Sequence, residues 1–298
     1  MNAIRRILAL VSDGARSDSV LALAARLARQ HGAAVEAMHA VAPASSGAYL
    51  SPEAAALAIE LVQKADRERA EAAAARVAAA AARGGQVMPL LPVLGDPVVA
   101  AAEVAQCSDL VVLAQRPLDG TDGTDAGFAG RLLVRAGAPL LFVPAVDTLP
   151  AEADGAPPCA RRVLVAWAAR RESARSLRDA MPLLAAAERV EVVRLAEAGE
   201  PAAPEPLDAV CAHLQRHGVH AHGHRLVRAS AGGGMAGLLP DWNPDVPVAE
   251  ALLSYAADIG ADLLVMGGYG HPRAWELALG GVTRTVLKSM TLPVLMSH

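Results

Sequence analysis

The chain has 298 residues, 53% hydrophobic and 19% charged, which is enough apolar material for roughly two folded domains and too much for disorder. Lys and Arg number 27 against 31 Asp and Glu, a net charge of -4, and aromatics are 3%. Neither a basic surface for nucleic acid or anionic lipid nor a base-stacking platform is therefore expected. Three widely spaced cysteines, Cys107, Cys159 and Cys211, make no disulfide framework and fit a reducing compartment. The basic start Arg5-Arg6 leads into an apolar run that ends at Ser12, too short for a signal peptide, and no uninterrupted run of about 18 apolar residues offers a membrane span. The expectation is a cytoplasmic protein with neither nucleic-acid nor membrane partners.

In chain order, a β-rich run at Ile7 to Val11 is followed by a polar turn and an amphipathic stretch, Asp18 to Gln30. Apolar runs at Ala34 to His39, Val87 to Val93, Leu110 to Ala114 and Leu140 to Val143 then alternate with helical stretches at 52–83, 97–107 and 127–136. The Ala-rich part of the first of these, 69–83, reads as a covering helix because Arg76 and Arg83 interrupt it. A segment with little periodicity, 147–159, holds Pro150, Gly155, Pro157 and Pro158 and reads as a linker.

Beyond it the pattern starts again. Arg161-Arg162-Val163-Leu164-Val165-Ala166-Trp167 repeats Arg5-Arg6-Ile7-Leu8-Ala9-Leu10-Val11 about 156 positions on, with an amphipathic stretch at Arg171 to Ala187 behind it. Asp109-Leu110-Val111-Val112 returns as Asp262-Leu263-Leu264-Val265, and the Pro139-led strand returns as Leu292-Pro293-Val294-Leu295-Met296. Continuous apolar strands separated by helices demand parallel sheets covered on both faces, so the chain divides into two tandem open doubly wound α/β domains, 1–146 and 160–298. Only the second half carries an insertion, near 229–246, rich in turn formers and expected to be a loop or lid.

In such sheets ligands bind beyond the carboxyl ends of the strands. The run Leu263 to Met266 leads into Gly267-Gly268-Tyr269-Gly270-His271-Pro272-Arg273, and nine residues after Gly270 come Gly280-Gly281-Val282-Thr283 at the start of a last helix. Glycines let backbone N–H groups approach an anion, and a helix N-terminus adds unpaired donors and partial positive charge, so the spacing suits a phosphate cradle. His271 and Arg273 lie where a cation reaches a phosphate oxygen. The competing explanation is that the glycines serve tight strand-to-helix packing.

With these motifs the chain resembles the universal stress protein family in its tandem form. The resemblance implies Rossmann-like, adenine nucleotide alpha hydrolase-like domains with strand order 3-2-1-4-5 in each, paired as an intramolecular pseudo-dimer or a homodimer through their final strands. It also implies a stress-response role with ATP, with or without Mg²⁺, held at Gly267, Gly268, Gly270, Gly280, Gly281, Val282 and Thr283. Two positions depart from the family pattern: Gly281 stands where Ser or Thr is expected, and Ala168 stands where the first half keeps the strand-1 aspartate, Asp13. The first half in turn has Ala114-Gln115-Arg116-Pro117 in place of the glycines, which implies a lost site there. The alternatives are a scaffold with both sites inactive and a weak ATP hydrolase. Against the hydrolase, no general base or Mg²⁺ carboxylate lies beside Gly267 to Thr283 in the sequence.

His213 and His217 are spaced to share a helix face and are the candidate metal ligands, although no intrinsic metal site is expected. His220, His222 and His224 alternate as on one side of a strand. There is no Gly-x-Ser-x-Gly elbow and no P-loop.

Overall fold

A computed structural model describes residues 3–39, 52–84, 88–91, 93, 95–115, 127–146, 159–197, 206–228, 245–268 and 281–298. The chain forms two compact units, one of Ile4–Gly137 and one containing Ala138–His298.

The first unit runs β1 (Arg6–Val11), α1 (Arg16–His31), β2 (Ala34–His39), α2 (Pro52–Gly84), β3 (Leu90–Leu91), α3 (Pro97–Ala105), β4 (Leu110–Ala114) and α4 (Phe128–Arg135). Its strands stand in the order β3-β2-β1-β4, all parallel. Ile7, Leu8, Ala9, Leu10 and Val11 of β1 are all buried, as a strand covered on both faces requires. α1 buries Val20, Leu21, Ala24, Leu27 and Ala28 and stops where Gly32 turns left-handed (φ 66), its N–H closing on the Ala28 carbonyl. The long α2 buries a narrow stripe, Ala73, Val77 and Ala80, spaced to line one face, while Ile59 and Leu61 stay exposed. Asp96 starts α3 by accepting hydrogen bonds from the backbone N–H groups of Val98 and Val99, with Pro97 in the first turn where no N–H is missed. Among the described residues, β3 covers Leu90–Leu91 within the apolar run at Val87 to Val93.

The second unit contains β5 (Leu140–Val143), β6 (Arg162–Ala166), α5 (Arg171–Asp179), α6 (Met181–Leu184), β7 (Arg189–Glu197), α7 (Pro206–Arg216), β8 (Ala221–Arg228), α8 (Asp245–Asp258), β9 (Leu263–Gly267), α9 (Gly281–Ser289) and β10 (Val294–Ser297). Its strands stand in the order β5-β10-β9-β6-β7-β8, parallel except for the antiparallel ladder of β10 with β5. The run β8-β7-β6-β9-β10 is the expected order 3-2-1-4-5. The single amphipathic stretch expected at Arg171 to Ala187 is broken into α5 and α6. Pro182 has no N–H to give the Arg178 carbonyl four residues back, so α5 ends at Asp179 and a new turn starts at Met181, with Leu183 and Leu184 donating to the Ala180 carbonyl.

The repeated Arg-Arg and Asp motifs have one structural role in both halves. The Asp109 carboxylate accepts from the backbone N–H groups of Arg5 and Arg6 at 2.8 and 2.9 Å, and Asp262 does the same for Arg161 and Arg162 at 2.9 Å each. Each aspartate precedes one strand and ties down the start of its neighbour, which sets the β1–β4 and β6–β9 registers. All three cysteines are free, and no helix among the described residues is long and apolar enough to cross a membrane.

Candidate functional site

The second unit opens a cleft of about 540 Å³ at the carboxyl ends of its central strands. β6 contributes its last residue, Ala166, and the turn Trp167 to Arg170, while β9 contributes Met266 and Gly267. Gly281, Val282 and Thr283 form the first turn of α9 on the same cleft. Arg194 and Leu195 come from β7, and Val248 and Leu252 come from α8. Trp167 lines the cleft with a buried indole Nε1 that has no hydrogen-bond partner among the described residues.

Of the residues singled out from sequence, Gly267, Gly281, Val282 and Thr283 line this cleft, and Gly268 follows Gly267 with its N–H donated to the Ser297 carbonyl at 2.9 Å. Gly270, His271, Arg273 and Gly280 lie outside the described residues, as do residues 229–244 of the expected lid. Gly267 has a role of its own: a Cβ there would stand 2.7 Å from the Glu172 carbonyl carbon and from the Ser173 nitrogen. The start of α5 leans directly on this glycine, so the strand-to-helix packing explanation holds at this position. Thr283 is 4% exposed and buried at the head of α9.

Two readings of the sequence change here. The strand-1 loops close alike in both halves: Ser17 Oγ accepts from the Ser12 N–H at 2.7 Å, and Ser173 Oγ accepts from the Ala168 N–H at 3.3 Å. That equivalence sets Ala168 against Ser12, so the residue facing Asp13 in the repeat is Ala169, and the carboxylate is missing from the second unit in this register too. Second, a carboxylate does stand near the glycine motif. Glu172 lines the cleft from α5 with its side chain 13% exposed, 3.5 Å from Arg171. Sequence proximity hid it because a different strand and helix bring it there. Arg170 and Arg194 were missed for the same reason.

In the first unit the corresponding place is laced with arginines. Arg16 Nη1 donates to the Gln115 carbonyl at 3.2 Å, Arg76 Nε donates to the Asp13 carbonyl at 2.9 Å, and Arg76 Nη1 meets Asp18 Oδ2 at 2.6 Å. Ala114 ends β4 where Gly267 ends β9, and Arg116 and Pro117 lie outside the described residues.

The histidines do not converge. His213 on α7 and His217 just past its end are both exposed, with ring centroids 4.8 Å apart. His220 precedes β8 rather than lying on it, so only His222 and His224 share its face. His224 Nε2 pairs with Glu191, a carboxylate 1% exposed that also takes Arg189 Nε at 2.6 Å and the Tyr255 hydroxyl at 3.3 Å. That network spans β7, β8 and α8 and satisfies a buried charge; burial and the nearby Glu191 push the Tyr255 hydroxyl pKa up. Among the described residues, no group of three or more His, Cys, Asp or Glu is placed to hold a metal ion.

Compared with known proteins, the universal stress protein family profile matches residues 3–143 and 245–298. A universal stress protein from Archaeoglobus fulgidus DSM 4304 shares the fold with a TM-score of 0.68 at 16% identity, over 98% of this chain and 95% of its own. A universal stress protein solved in complex with cAMP matches 48% of this chain and 98% of its own at 17% identity and a TM-score of 0.29. A curated universal stress protein of Synechocystis sp. is 44% identical over 46 residues, and the chain spans only 16% of that relative's length. The family match takes in β1 through β5 at one end and α8 through β10 at the other, so it includes both Asp-led strands and the head of α9: the chain belongs to the universal stress protein family.

Proposed function

We propose that this protein is a cytoplasmic stress-response binding module whose second unit holds a nucleotide, ATP or a relative of it, in the cleft at the ends of β6, β7 and β9. The observation that carries the reading is the lining itself. The first turn of α9 brings backbone N–H groups and the positive end of the helix dipole to the cleft for an anion, and Trp167, Leu195 and Leu252 offer an apolar wall to a planar ring. A volume of about 540 Å³ falls within the range of small-molecule sites. In this reading Gly267, Gly268, Gly270, Gly280, Gly281, Val282 and Thr283 form the cradle, and His271 and Arg273 reach the phosphates. For Mg²⁺ the described lining supplies one carboxylate, Glu172, already beside Arg171, which is a poor donor set for a catalytic ion. The role assigned is therefore binding, and no hydrolytic step is assigned.

The test is calorimetry with ATP, ADP and AMP, with and without Mg²⁺, on the wild type and on a Gly270→Val, Gly280→Val double variant. Micromolar binding that disappears in a folded variant supports the cradle. A well-folded wild type that binds none of the three overturns the reading and leaves a scaffold with both sites inactive.

A further inference from the structure

The cleft is chemically lopsided at the end away from α9. Arg194 lines it from the last part of β7, and Arg170 lines it from the extended residue that precedes α5 (φ -135, ψ 158). β6 separates β7 from β9, so Arg194 rises from a strand two spacings away, roughly 10 Å, from the one that leads to α9. Glu172, the carboxylate of the described lining, belongs to the β9 side, because its backbone and Cβ are what a side chain on Gly267 would strike. In the first unit the strand-1 loop bears Asp13; the matching residue here is Ala169, which also lines the cleft. Position 169 thus offers no side-chain acceptor, and Arg170 and Arg194 line the same cleft.

On the nucleotide reading above, we infer that this end of the cleft is built for a keto-bearing purine, guanine or hypoxanthine, and that Arg194 is the residue that selects it. A guanidinium carries five N–H donors in a planar fork and no acceptor. Guanine and hypoxanthine present O6 and N7 side by side as two acceptors, the edge that arginine reads most often. Adenine presents N7 beside an amino group, which sets donor against donor. A carboxylate at position 169 would accept from that amino group; an alanine does not. Trp167 and Leu195 supply the apolar surface for the ring in either case, so the discrimination rests on the polar edge.

The test compares ATP, GTP and inosine triphosphate by calorimetry on the full-length wild type, on Arg194→Gln and on Arg194→Lys, with a thermal melt of each variant. The wild type is expected to bind GTP and inosine triphosphate about tenfold more tightly than ATP. Arg194→Gln should lose that preference, weakening GTP about tenfold and leaving ATP unchanged or improved, since an amide offers adenine both a donor and an acceptor. Arg194→Lys keeps the charge without the fork and should also lose the preference. The inference is overturned if the wild type holds ATP as tightly as GTP. It is equally overturned if Arg194→Gln weakens both alike, which would make the guanidinium a stacking or charge partner blind to the base. Failure of the wider nucleotide reading looks different: no triphosphate binds, whatever its base, and both proposals fall together.

Discussion

Replacing Gly267 by alanine separates packing from ligand binding. The new Cβ would lie 2.7 Å from the Glu172 carbonyl carbon, 2.7 Å from the Ser173 nitrogen and 2.8 Å from the Glu172 Cβ. Ordinary carbon contacts are about 3.5–4.0 Å, so the first turn of α5 has to retreat by nearly an ångström, and two of the three atoms in the way are backbone. Overpacking of this kind costs about 1–3 kcal/mol. Gly267 does not use a positive φ, so alanine is not strained at its own backbone, and the stiffer unfolded chain returns about 0.4–1 kcal/mol. The net expectation is a loss of about 1–2 kcal/mol, a fall of several degrees in Tm at roughly 2–4 °C per kcal/mol for a unit of this size. Urea titrations with and without nucleotide measure it. Ala114→Gly is the internal control, because the first unit carries that methyl natively, and it should cost about 0.5–1 kcal/mol through chain entropy. Full stability of Gly267→Ala together with lost nucleotide binding would refute the packing argument and make the glycine a ligand device alone.

Asp262→Ala removes a carboxylate that accepts from two backbone N–H groups, and the expected loss is about 1.5–3 kcal/mol by denaturant titration; Asp109→Ala tests the same device in the first unit. A midpoint unchanged in both would mean the repeated aspartates do not hold the strand registers. His31, with its Nε2 buried and without a partner, has its pKa pushed below the ordinary value of about 6.5 by burial. The unfolded chain thus binds more protons than the native one just below that pH, and stability should fall as pH drops through the window between the unfolded and folded values. His31→Gln should flatten that part of the stability profile, and an unaltered slope would count against the assignment. Trp167→Phe deletes an indole N–H that has no partner, so stability should stay within about 1 kcal/mol of wild type, and any nucleotide-dependent change in tryptophan fluorescence should shrink markedly.

The two-unit α/β fold was legible because its signals are redundant. Continuous apolar strands, left-handed glycines at helix ends and the duplicated Arg-Arg and Asp pairs all point the same way, and the last of these joins the same backbone groups to the same carboxylate in both halves. Boundaries were less legible where one residue overrides a pattern, as Pro182 does in splitting α5 from α6. The site was half legible. The head of α9 and Gly267 belong to a local spacing motif, but a glycine kept for an anion and one kept for a helix backbone look the same in sequence. Glu172 and Arg194 reach the cleft only because β6 and β7 end beside β9, and no spacing announces that. Even the place of the missing aspartate needed the Ser17 and Ser173 hydroxyls to fix the loop alignment.

The antiparallel ladder between β5 and β10 bears on how the chain can be cut. Val294, Leu295 and Met296 face Phe142, Leu141 and Leu140, and all six side chains are buried. A fragment begun at residue 160 would contain every later strand but leave β5 behind. Its outermost strand would then present Val294, Leu295 and Met296 with a row of unsatisfied backbone groups, which is the template on which edges of separate molecules join. Such a fragment should self-associate on concentration, read by light scattering against the full-length chain. The strand that covers the edge of β10 thus lies in the stretch that the sequence repeat assigns to the other half.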